Sequence, residues 1–269
     1  MEKFQLSTLF EIQGIGSASG ILLHEDLLYI ISDNSSFLYQ YDIKNLNLTK
    51  VALVENCKEN IPKKDKLDLE AIALKDNKLH IFGSGSTENR NKKFTYDTIT
   101  SKIEEENLEP VYKFIKHNLN ITDDELNIEG ALYKDEILYL FQRGNGCDNK
   151  NGIIILDREA QFFPIALPKI KNVRATFTDA ILIDDKIYFL AAAEDTTSTY
   201  DDGEVLGSII GCLTIETLKI DFTFQISNKN KFEGLTLYKK TATQIELLLC
   251  EDNDSEELMS TIFLLKLPF

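Results

Sequence analysis

The chain has 269 residues, 44 acidic against 29 basic, a formal charge of −15 at neutral pH, and 43% hydrophobic residues. That balance opposes non-specific binding to nucleic acid or to anionic lipid surfaces, while the apolar fraction is that of a protein that buries a sizeable core rather than of a disordered chain. No apolar stretch approaches a membrane span, residues 1–11 lack the basic run and apolar core of a signal peptide, and Cys57, Cys147, Cys212 and Cys250 form no CxxC pair. The expectation is a cytoplasmic protein with no disulfide framework, no zinc site, and neither nucleic acid nor membrane as partner.

Taken in order, the chain reads as short strands. Residues 3–11 stand apart from every repeated unit. Apolar runs at 20–32, 37–43 and 50–55 are punctuated by the turn residues Glu25-Asp26, Asp33-Asn34-Ser35 and Asn45-Leu46-Asn47. The polar segment 56–66, which holds Pro62 and several lysines, reads as a surface loop. Asp68-Leu69-Glu70-Ala71-Ile72 opens the next unit, and the glycine-rich stretch 83–90 behind it lacks the GK[ST] ending of a phosphate loop, so it reads as an interstrand connection. A helix is predicted over 110–119, with Pro110 in its first turn and Val111, Phe114, Ile115 and Leu119 as an apolar stripe. Thr122 with Glu125 three residues on has the pattern of a capping box, which predicts a short helical turn before Glu129. Strands follow at 137–142, 153–157 and 162–167, at 187–192, 208–215 and 219–226, and at 244–250 and 261–267.

One short unit recurs through this series: Ala18-Ser19-Gly20, Leu69-Glu70-Ala71, Ile128-Glu129-Gly130, Thr178-Asp179-Ala180 and Phe232-Glu233-Gly234. The anchors Ser19, Glu70, Glu129, Asp179 and Glu233 return about every 50 to 60 residues, near the period at which one four-stranded sheet is built per repeat. The predicted fold is all-β: one five-bladed β-propeller domain, with blades near 18–56, 67–109, 127–168, 176–227 and 231–269 and one helical insertion in blade two. The last blade comes up one strand short, and residues 3–11 are expected to supply its outer strand and close the ring. Because the first strand of each blade lines the axis, the anchors form a ring.

Three glutamates, an aspartate and a serine converging on a narrow channel cannot all stay charged without compensation. Either some are protonated or hydrogen-bonded to a neighbouring blade's amides, or a hard cation sits on the axis, and calcium suits a loose set of oxygen donors. A second ring is read where each second strand ends: Asp33, Ser84, Arg143, Glu194 beside Ala193, and Glu251. Arg143 precedes Gly144-Asn145-Gly146, a loop expected to leave its guanidinium accessible, either as a salt-bridge partner or as a phosphate clamp. His24, His80 and His117 fall in unrelated parts of the repeat, and no GxSxG elbow is present.

The succession of anchors resembles that of the calcium-activated apyrases, five-bladed propellers that hydrolyse nucleoside di- and triphosphates and hold an axial calcium with serine and glutamate side chains, one per blade. Val111-Tyr112-Lys113-Phe114-Ile115 ahead of Glu129, Phe141-Gln142-Arg143, and Ser208-Ile209-Ile210-Gly211-Cys212-Leu213 are similar to segments placed likewise in that family. Asp179 stands where the family has a hydroxyl residue. The pattern is also similar to phytase-like propellers and to bacterial propellers of unassigned function. The resemblance implies calcium on Ser19, Glu70, Glu129, Asp179 and Glu233, and a phosphohydrolase acting on nucleotides or another small phosphorylated molecule. In that expectation Arg143 stabilises the developing charge, Asp33 or Glu251 orients the attacking water, and Ser84 and Glu194 contact the substrate with Arg143. The competing expectation is a non-catalytic propeller whose acidic ring is structural and whose open face receives a small ligand or a protein.

Overall fold

Two-residue turns carry the inner hairpins of four repeats: Glu25-Asp26, Asp76-Asn77, Asp135-Glu136 and Asp184-Asp185. In them Glu25, Asp76, Asn77, Asp135 and Asp184 adopt positive φ, which Asp and Asn reach at low cost. Each hairpin is extended by further antiparallel strands into a four-stranded sheet, and five such sheets form a five-bladed β-propeller. This computed structural model describes residues 3–144, 146–196, 203–252 and 258–268.

The closing blade takes its outer strand from the start of the chain, β1 (Gln5–Gln13). Blade one is β2 (Ala18–His24), β3 (Leu27–Ser32), β4 (Phe37–Asp42) and β5 (Asn47–Ala52). Blade two is β6 (Leu69–Lys75), β7 (Lys78–Gly83), β8 (Lys92–Asp97) and β9 (Ile103–Asn107). Blade three is β10 (Ile128–Lys134), β11 (Ile137–Gln142), β12 (Gly152–Leu156) and β13 (Ala160–Pro164). A short ribbon, β14 (Lys169–Ile170) with β15 (Val173–Arg174), leads to blade four: β16 (Thr176–Ile183), β17 (Lys186–Asp195), β18 (Glu204–Thr214) and β19 (Ile220–Ser227). Blade five is β20 (Lys231–Lys240), β21 (Gln244–Asp252) and β22 (Met259–Pro268), and β1 pairs antiparallel with β22. The two ends of the chain thus share one sheet, as the missing strand required.

One α-helix is present among the described residues, α1 (Glu109–Leu119); it follows β9 and leads into blade three. Its buried face differs from the predicted stripe. Tyr112 and Ile115 are buried with Leu108, and the Tyr112 hydroxyl donates to the Gly83 carbonyl at 2.7 Å. Phe114 is 47% exposed, because two residues past Tyr112 it points about 200° around the helix. Thr122 to Glu125 forms a hydrogen-bonded turn (Glu125 N to Thr122 O, 3.1 Å) rather than a helical one, and the Glu125 carboxylate accepts from the Asp148 amide instead. Among the described residues no helix is long and apolar enough to cross a membrane.

The apolar residues of adjacent blades meet in five separate clusters, one in each seam of the ring. In the seam between blades three and four, Phe141, Phe177 and Phe189 pack edge to face, with centroids 5.2 and 5.1 Å apart. At the axis, every inner strand carries a β-bulge at the same place in its repeat: between Ala18 and Gly20, Leu69 and Ala71, Ile128 and Gly130, Phe177 and Asp179, and Phe232 and Gly234. The residue after each bulge is small in four blades, and the spacing explains why. A Cβ on Gly130 would lie 3.1 Å from Ala180 N and from Asp179 Cα, and one on Gly234 would lie 2.8 Å from Ile21 N. Neighbouring inner strands therefore touch backbone to backbone here, and this waist divides the axis into two ends.

Candidate metal centre at one end of the axis

The bulges decide which residue of each repeat stands out from its strand pairing: Ser19, Glu70, Glu129, Thr178 and Glu233. The equivalence read for Asp179 is corrected by one residue, since Thr178 holds the anchor position in blade four. Like Ser19, whose hydroxyl donates to the Leu69 carbonyl, Thr178 ties its blade to the next by donating to the Phe232 carbonyl at 2.7 Å. Asp179 lies at the waist. Its Oδ1 accepts from its own following amide, Ala180 N, and its Oδ2 from Leu235 N, both at 2.7 Å. Burial pushes the Asp179 carboxyl well above the ordinary range, although those two amides pull it back. It is a staple between blades four and five.

The remaining carboxylates of the ring are compensated unevenly. Glu129 Oε1 accepts from Asn127 Nδ2 at 2.7 Å and from Arg143 at 3.2 Å, and the other terminal nitrogen of Arg143 contacts Glu194. The accessible guanidinium expected from the glycines is corrected: Arg143 is 5% exposed and bridges blades three and four. Burial works against its charge, but the fields of Glu129 and Glu194 outweigh it and raise its pKa further. Glu194 also accepts from Gly203 N at 2.8 Å. In blade five Lys231 lies 2.7 Å from Glu233 and 3.6 Å from Asp252. Glu251, one residue earlier in the strand, faces the other way and accepts from the Asn230 side chain, so the acid that β21 contributes to this network is Asp252.

Between blades one and two the balance tips. Asp33, Asp68 and Glu70 each offer a carboxylate oxygen, and the three atoms lie within 4.8 Å of one another, an arrangement that could hold a metal ion. Asp68 Oδ2 accepts from Ser84 Oγ at 2.5 Å and from Arg90 at 2.8 Å, and Asp33 Oδ2 is paired with Lys66. Asp33 Oδ1 is buried and has no partner, and Glu70 has no ion pair among the described residues. Burial, then repulsion from Asp252, pushes the Asp33 carboxyl up to about 7 despite Lys66. Burial and the charges of Glu129, Asp68 and Glu233 push Glu70 well above the ordinary range. Across this end of the axis, seven carboxylates (Asp33, Asp68, Glu70, Glu129, Glu194, Glu233 and Asp252) face four cations (Lys66, Arg90, Arg143 and Lys231) among the described residues.

Of the residues read from sequence, Asp33, Ser84, Glu70, Glu129, Arg143, Glu194 and Glu233 meet at this end, while Ser19 and Asp179 are spent on blade-to-blade hydrogen bonds and Glu251 turns away. Sequence reasoning missed Lys66, Asp68, Arg90, Lys231 and Asp252. A signal existed for two of them: Asp68 and Lys231 stand two residues before Glu70 and Glu233, and strand alternation puts such residues near the same face. Lys66 and Arg90 arrive from connecting segments, where no periodicity applies.

Comparisons with known proteins agree with the architecture. The chain is similar to the major allergen Mala s 1 of Malassezia sympodialis, with a TM-score of 0.55 and 8% identity over 94% of this chain and 95% of that one. It is also similar to glutaminyl cyclase of Myxococcus xanthus (TM-score 0.49, 9% identity, 98% of this chain and 97% of that one). A member of the DUF4221 family from Bacteroides vulgatus is similar as well (TM-score 0.46, 11% identity, 98% and 99%). At 8% identity the likeness to Mala s 1 is one of fold. No curated protein matches the sequence. Residues 14–267 match the model of DUF6929, a family of unknown function, and the chain belongs to that family.

Proposed function

We propose that this protein is a calcium-binding propeller that uses the corner formed by Asp33, Asp68 and Glu70 to hold a small phosphorylated molecule at that end of the axis. The observation that carries the reading is the triad itself: three carboxylate oxygens within 4.8 Å of one another, with the buried Asp33 Oδ1 lacking any partner. The donors are oxygens alone, without histidine or cysteine, which suits calcium better than zinc or copper. Asp33, Asp68 and Glu70 would hold the calcium, which would supply the positive charge that a phosphate oxygen needs at this acidic end. Without such a cation the ligand would approach against the field of a chain with a formal charge of −15.

Binding without turnover is the reading the geometry favours over apyrase-like hydrolysis. Arg143 is 5% exposed and its two terminal nitrogens are held by Glu129 and Glu194, so a phosphate would have to reach a buried guanidinium, of which the Nε alone has no partner.

The test is a thermal melt and a calcium titration of wild type, Asp33→Asn, Glu70→Gln and Lys66→Met, each with chelator, calcium and magnesium. Calcium should raise the wild-type Tm by mass action, both carboxylate variants should lose that rise, and Lys66→Met should bind calcium more tightly because the competing ammonium is gone. An unchanged wild-type Tm with calcium, together with no binding by Lys66→Met, would sink the reading. Phosphate release from a panel of nucleotides in calcium separates binding from hydrolysis.

A further inference from the structure

The end of the axis beyond the waist has the opposite chemistry. All five inner strands contribute to a pocket of about 190 Å³, and none of its lining residues carries a charge. Ala73, Ala131 and Ala180 make the room, and the half-buried Leu22, Leu74, Tyr133, Ile181, Leu182 and Leu237 form its wall. The anchors repeat as acids and hydroxyls, whereas the residues two to four positions further along the same strands repeat as apolar side chains. Two of the lining residues carry a hydroxyl, Tyr133 and Thr236; the Thr236 hydroxyl accepts from Leu23 N at 2.9 Å, which leaves its proton available to one acceptor atom.

We propose that this pocket is a binding site for one small apolar molecule, an aromatic ring or short alkyl chain bearing at most one hydrogen-bond acceptor. The volume decides the class. A cavity of about 150 Å³ lined by Leu, Ile and Phe stays dry and takes up benzene, and this pocket is of that order. It has room for a single ring or side chain, not for a helix or a strand. Partial exposure of the wall gives entry from solvent, and none of the carboxylates at the other end of the axis lines the pocket. The site is therefore separate from the acidic end and independent of any cation there.

The experiment is ligand-observed saturation-transfer NMR of the full chain with toluene and 1-hexanol, alongside thermal melts with each. Folded wild type should bind both at about millimolar concentration, and both should raise its Tm. Leu237→Glu, which puts a charge in the wall, should weaken binding at least about tenfold. Leu237 is half-buried and so tolerant of the change; if that variant does not fold, Leu182→Asn tests the same wall. Absence of saturation transfer to both probes in folded wild type overturns the proposal, as does undiminished binding by a folded wall variant.

Discussion

Replacing Arg143 by methionine keeps most of its apolar stem and removes its charge. Arg143 is 5% exposed and contacts Glu129 at 3.2 Å and also Glu194, both of which are themselves buried. The substitution leaves two buried carboxylates without their shared cation, and breaking a buried ion pair in this way costs about 3–5 kcal/mol. For 269 residues the entropy of unfolding is about 0.6 kcal/mol/K, so the loss should appear as a fall in Tm of about 5–9 °C. The assay is calorimetry or far-ultraviolet circular dichroism in chelator, so that no cation substitutes for the guanidinium. Adding Glu129→Gln to Arg143→Met should recover part of the loss, because the amide removes one uncompensated charge while keeping the shape. If Arg143→Met melts within about 1 °C of wild type, the reasoning that assigns Arg143 to blade-to-blade charge compensation is wrong.

Two other outcomes follow from the architecture. Deleting residues up to Glu11 removes most of β1, which pairs with β22 from Gln5 to Gln13, and should lower the Tm of the whole domain; a truncated chain that melts with wild type would show that ring closure contributes nothing. His80 is held at about 4, by burial first and then by Lys93, Lys75 and Lys78, against the weaker opposite pull of Glu106, while its ring packs on Tyr133. Its folded pKa lies below its unfolded value of 6.5, so in that window the unfolded chain binds more protons and stability falls as pH drops from 6.5 toward 4. His80→Gln should flatten that part of the Tm–pH profile, and a profile parallel to wild type would refute the assignment.

The number of blades and their closure could be read from the sequence, because each rests on a local pattern. Short apolar runs between turn residues set the strands, the return of Ser19, Glu70, Glu129 and Glu233 at a propeller period set the repeat, and the missing outer strand left residues 3–11 with one place to go. What the tertiary structure alone decided begins at single-residue resolution. Thr178 and Asp179 are both polar neighbours in sequence, and only the bulge against β17 determines that Thr178 stands at the anchor while Asp179 staples the waist. Glu251 and Asp252 are likewise adjacent acids, and the pairing of Lys231 with Asp252 chooses between them. Arg143 follows a strand and precedes glycines, which suggests exposure, yet two carboxylates from neighbouring strands enclose it. Lys66 reaches Asp33 across 33 residues and Arg90 reaches Asp68 across 22, by the paths of connecting segments. Strand periodicity is a property of the local chain and survives in the sequence, whereas charge compensation depends on which distant side chains a closed ring brings within a few ångströms, and no local pattern carries that information.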